Sequence, residues 1–264
     1  MKLGAALALG LVLCAGAALA EPRSVFIEDL TWPEVKAAIE AGKTTAIYYA
    51  GSTEQNGPHM ALGKHNFVAR HVAQRIAEQL GNALVYPVLP FAPTGDAAKP
   101  SLHMRFAGSV TLSEGTFGAV AREVSLSAAT AGFKNIALMG DHGGGQETLA
   151  RVAAELSAQL APRGVRVHYI GDLYYKSFTQ VRAYLRAHGL PPGDHASIED
   201  TSELMFVDKE GRWIRKDRLA PGSEASGVEG DPRQASAQAG KIFIDFKIDA
   251  AVAQIRRLTD ERRR

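Results

Sequence analysis

A three-layer α/β/α fold with a mostly parallel central sheet is predicted by two features of the chain. Short β-rich apolar runs alternate with longer stretches of helical period, the pattern of strands covered by helices on both faces. Loops rich in Gly, Pro and His follow the strands rather than precede them. In an open parallel sheet ligands bind outside the carboxyl ends of the strands, so these loops are the candidate functional segments.

The predicted strands are 45–50, 83–88, 109–112, 135–139 and 165–170, each a run of β-branched, aromatic or small apolar residues. The predicted helices are 33–41, 66–80, 114–131, 146–160 and 176–187. The first helix carries an explicit start signal, Thr31 before Trp32-Pro33, with Pro in the first turn. Segments 90–100, 190–194 and 221–232 hold the Gly and Pro of loops. No internal repeat or low-complexity linker divides the chain, which predicts one domain over residues 21–264.

Residues 1–20 read as a signal peptide: Met1-Lys2, an apolar run, then Ala18-Leu19-Ala20 before Glu21-Pro22. That predicts an exported protein, periplasmic or secreted, with no membrane attachment after cleavage. The single cysteine, Cys14, lies inside this leader, so the mature chain has neither a disulfide framework nor thiolate metal ligands. Any metal would be held by His, Asp and Glu. Lys and Arg number 30 against 28 Asp and Glu, with no basic stripe, which argues against nucleic acid as a partner. The closing Arg256, Arg257, Arg262, Arg263 and Arg264 read as a solvated helix tail.

Three segments could carry chemistry. The first runs from Gly51 to His65 and includes Glu54, Gln55, Asn56, Gly57, Pro58 and His59; it can aim several imidazole and carboxylate groups at one point. Its plainer reading is a surface loop with incidental histidines. The second is Gly140-Asp141-His142-Gly143-Gly144-Gly145-Gln146, where glycines let a substrate or ion approach the histidine. A phosphate cradle is the rival there, but neither a Walker pattern nor a complete dinucleotide fingerprint is present. The absence of Gly-x-Ser-x-Gly removes the serine-hydrolase reading. The third is Gly193-Asp194-His195-Ala196-Ser197-Ile198-Glu199-Asp200-Thr201-Ser202. It reads as an acid-rich helix start, or as a loop whose His195 serves as an acid–base group near neutral pH.

Together these segments resemble the creatininase-like amidohydrolase family. The first is similar to that family's Gly-Ser-x-Glu-Gln-His-Gly-Pro-His-Leu-Pro-Leu-x-x-Asp, the second to Asn-Gly-His-Gly-Gly-Asn, and the third to His-Ala-Gly-x-x-Glu-Thr-Ser. His103 with Phe106-Ala107-Gly108-Ser109, and Gly227-Val228-Glu229-Gly230-Asp231-Pro232, add two more motifs in register. The resemblance implies a divalent metal on Glu54, His142 and position 65, and a second ion on position 56, the bridging position 65 and a further acid.

Two departures alter that expectation. Position 65 is His65, whose single lone pair per nitrogen cannot bridge two ions, and position 56 is Asn56, a poor zinc ligand. What remains is one Zn, with Mn or Fe as alternatives, on Glu54, His65 and His142. His195 and Asp200 become the catalytic candidates, and Asn56, His59, His103 and Glu199 the substrate pocket. The implied activity is hydrolysis of a non-peptide, possibly cyclic, amide by a metal-activated water. A processing peptidase and a non-catalytic small-molecule-binding protein are the alternatives. A small-molecule amide substrate and a homo-oligomer, a hexamer by resemblance, complete the expectation.

Overall fold

Strand β1 (Thr45–Ala50) is buried over its whole length and takes a partner on each side. A computed structural model describes residues 22–260; the predicted leader 1–20 and Arg262, Arg263 and Arg264 lie outside them. β2 (Ala83–Val85), β3 (Asn135–Gly140) and β4 (Arg166–Tyr169) complete a four-stranded sheet in the order β2-β1-β3-β4, with every pair parallel. From β1 the chain goes first to one side and then returns to the other. The crevice between β1 and β3 is therefore the switch point at which such sheets bind ligands.

Alternation along the strands feeds two cores. Ile47, Tyr49, Ala137 and Met139 face α2 (Lys64–Leu80) and α7 (Ala237–Thr259). Ala46, Tyr48, Ile136 and Leu138 face α1 (Trp32–Glu40), α3 (Glu114–Ala131) and α4 (Gln146–Leu160). The period of two puts successive residues on opposite layers, and each fully buried Leu or Ile contributes about 1.5–3 kcal/mol. α5 (Tyr175–Ala187) and α6 (Ile198–Val207) pack against α7 at the carboxyl end of the sheet.

The predicted start of α1 forms as a capping box: Glu34 accepts from the Thr31 N–H at 2.7 Å. The expected strand over 109–112 is not one. Thr111 makes a single parallel bridge to Ala92, while Val110 donates its N–H to the Thr53 carbonyl at 2.9 Å and accepts from the Thr94 hydroxyl at 2.9 Å, so its bonds go to different segments and no continuous ladder forms. Among the described residues α7 is the longest helix, and the sequence marks only its arginine-rich end. It docks closely because of Gly240, where an added Cβ would lie 1.8 Å from the Ser202 carbonyl of α6.

Candidate active site

β1 and β3 end in register, Ala50 opposite Gly140, and the Asp141 N–H continues the ladder to the Ala50 carbonyl at 2.9 Å. The loops leaving these two ends therefore open side by side. The first carries Glu54 and leads into Lys64 and His65 on α2; the second carries Asp141 and His142. The glycines after His142 are structural necessities. A Cβ on Gly144 would stand 2.0 Å from the Pro93 carbonyl, and Gly145 takes φ 85° against the Phe117 ring.

Glu54 is fully buried and four imidazoles surround it. His142 Nε2 is 3.0 Å from Oε2, and His65 Nε2, His103 Nε2 and His195 Nδ1 lie 3.1, 3.8 and 3.9 Å from Oε1. Ser52 Oγ donates to Oε2 at 2.6 Å. Burial disfavours the Glu54 charge, but His65 and His142 outweigh it and hold the carboxyl well below its ordinary range.

Hydrogen bonds set the tautomers. The His195 Nε2–H donates to the Gln55 carbonyl at 2.9 Å, which leaves the Nδ1 lone pair of the neutral ring turned towards Glu54. In His142, Nδ1 accepts the Gly144 N–H at 2.9 Å. The Gln55 amide is oriented by the Gly57 N–H on its oxygen, and its nitrogen donates to His103 Nδ1 at 3.2 Å. Burial pushes His195 down, and burial pushes His103 down to about 4, so both rings are neutral near pH 7.

Among the described residues, the group with metal-ligand spacing is Glu54, His103 and His142, whose ligand atoms all lie within 4.8 Å of one another. Two imidazoles and a carboxylate are a zinc-type donor set, and the residues present fit a divalent ion. Coordination through either Nε2 moves that ring's proton to Nδ1 and displaces the Gly144 or Gln55 donor now seated there.

His65, expected as the third ligand, is occupied otherwise. Its Nδ1 meets Asp141 Oδ2 at 2.7 Å, and its Nε2 faces both Glu54 and Lys64 Nζ, the latter at 2.9 Å. Burial and Lys64 push its pKa down, but Glu54 and Asp141 outweigh them and the net direction is up. His103, expected only to shape the pocket, has the metal-ligand spacing to Glu54 and His142. It comes from a helical turn at Leu102–Arg105 whose first residue has φ 47°.

A cavity of about 500 Å³ opens above this centre, lined among others by Lys64, His103, His142, His195, Glu199 and Asp200. Asn56 and His59, also expected in the pocket, are fully buried behind its wall. The Asn56 amide donates to the Glu54 carbonyl at 2.9 Å, and His59 Nε2 pairs with Thr201 Oγ1 at 3.0 Å. Asp200 accepts from Lys64 at 2.7 Å and from the Ala196 N–H at 2.7 Å, where Ala196 takes φ 52° beside His195. Burial, with the Asp200 carboxylate adding to it, pushes Glu199 up to about 7.

Sequence reasoning missed the charged floor. Lys247 of α7 donates to Asp141 Oδ1 at 3.0 Å and to Glu203 Oε2 at 2.6 Å, and Tyr49 Oη adds a bond to Asp141 at 3.1 Å. Burial works against ionising Asp141, but Lys247 and His65 hold it well below the usual range. A lysine amid Phe243, Ile244, Phe246 and Ile248 was the available signal.

A buried histidine-and-carboxylate centre thus lies at the switch point of a parallel sheet, the place where enzymes of this architecture bind their ligands. The creatinine amidohydrolase (Creatininase) family model matches residues 28–255, and the chain belongs to that family. It is 30% identical to creatinine amidohydrolase of Pseudomonas putida over 120 residues, 46% of this chain and 45% of that enzyme. It is 26% identical to the mycofactocin precursor peptide peptidase of Mycobacterium ulcerans over 251 residues, 87% of each chain. A crystal structure of creatinine amidohydrolase superposes with a TM-score of 0.74 at 21% identity over 90% of this chain and 99% of that one, which shows the shared fold. Solved relatives include a creatininase of Zn-Zn type and a Mn creatininase.

Proposed function

We propose that this chain is a metal-dependent amidohydrolase that cleaves a non-peptide amide C–N bond, possible cyclic amides included, with Glu54, His103 and His142 holding the ion. The spacing of those three residues beneath the cavity carries the reading. A divalent ion there, Zn or alternatively Mn or Fe, supplies Lewis acidity for activating water and polarising a carbonyl. His195, neutral and with its Nδ1 lone pair beside the centre, accepts the proton from water and returns it to the leaving nitrogen. Glu199, part protonated near pH 7, is a second proton source at the cavity wall. Asp200 fixes the turn beneath His195 through the Ala196 N–H.

Metal analysis of the purified protein and hydrolysis assays over cyclic and linear amides test this. His142→Ala loses metal and activity together, whereas His195→Ala keeps the metal and loses about 10²–10⁴-fold in turnover. Metal loss in His195→Ala refutes the division of roles. A processing peptidase is the second reading, favoured by the end-to-end match to the peptidase relative and by the exposed Leu102 and Phe178 at the cavity rim. Faster turnover on peptides than on small amides selects it. Export and self-association belong to the same proposal; N-terminal sequencing and light scattering check them.

A further inference from the structure

Lys64 is the first residue of α2 and is 1% exposed. An ammonium taken out of water is costly unless it is paired and hydrogen-bonded. Its partners are Asp200 Oδ1 at 2.7 Å and His65 Nε2 at 2.9 Å. Those are a carboxylate oxygen and an imidazole nitrogen, the donor types that hold zinc-type ions. They converge on the ammonium as they would on a metal. The point they define adjoins the first centre, because His65 Nε2 is also 3.1 Å from Glu54 Oε1.

We propose that the Lys64 ammonium is a resident cation of the active site and occupies the place of a second metal ion. The chain then binds one divalent ion and carries the neighbouring positive charge covalently, where no chelator can remove it. Like-charge repulsion keeps a second ion out while Lys64 is present. Asp200 and His65 are turned to a lysine rather than left open to an ion. The inference rests on the reading of Glu54, His103 and His142 as a metal site, and the test separates the two.

Zinc titration calorimetry on chelator-treated full-length protein compares wild type with Lys64→Ala and Lys64→Met. One equivalent is expected for wild type and two for Lys64→Ala, the second weaker, because the Asp200 carboxylate loses its cation and an open space is left between it and the His65 ring. Lys64→Met, which fills that space without charge, keeps one. Two equivalents in wild type overturn the inference and leave the proposed function standing. None in wild type but one in Lys64→Ala overturns the function and upholds the inference. Equal stoichiometry in wild type and Lys64→Ala overturns the inference. Thermal melts add an independent readout: n-propylammonium chloride raises the melting temperature of Lys64→Ala, or rescues its refolding, and leaves wild type unchanged. No effect on the variant counts against the inference.

Discussion

Glu199→Gln should leave the protein unchanged in acid and stabilise it towards pH 8. Glu199 lines the cavity on the first turn of α6 and accepts the Gly193 N–H at 3.3 Å. Burial, with Asp200 in support and Arg182 and backbone donors opposing, lifts its pKa from 4.5 to about 7. The folded protein thus keeps this proton longer than the unfolded chain does. The stabilisation that results is complete below pH 4.5 and is lost as pH rises through about 7. The interval of about 2.5 pH units, at about 1.4 kcal/mol each, comes to about 3.5 kcal/mol as an upper bound. Glutamine keeps an acceptor for Gly193 and never ionises. Urea denaturation of both proteins at pH 4.5, 6, 7 and 8 should show the variant's advantage growing from nothing towards that value. A difference that stays constant across the series refutes the reasoning.

Two further outcomes follow from the floor and the loops. Lys247→Met leaves Asp141 and Glu203 buried without their cation and should cost about 3–5 kcal/mol in urea unfolding; a loss under about 1 kcal/mol contradicts the buried network. Gly144→Ala, whose methyl would overlap the Pro93 carbonyl, should displace the His142 loop and weaken metal binding in equilibrium dialysis while circular dichroism stays native. Gly143→Ala meets only the tip of Tyr174 and should be milder; equal effects from the two refute the steric argument.

Periodicity made the layers legible; the positions of Glu54 and His142 after strand ends, and of His195 before a helix start, followed from their motifs. The arrival of His103 beside Glu54 and His142 was not legible. It depends on a loop more than 35 residues downstream folding back over β1, while Asp141 captures the His65 Nδ1. Asp141 and Lys64 sat inside or beside the motifs, but a charge's role depends on what it faces across the fold. Lys64 finds its carboxylate 136 residues away. The 109–112 segment had strand composition, yet composition carries no information about whether a neighbour's backbone or its side chains will satisfy it.

Lys247 enters the active site from α7, the last helix of the chain. The centre's charge balance therefore depends on a helix whose lysine lies 106 residues from Asp141 in sequence. Without Lys247, Asp141 keeps its bonds to Tyr49 and His65 but loses the ammonium that bridges it to Glu203. The same helix covers one face of the sheet and supplies a charge to the centre, so its docking joins the core to the active site.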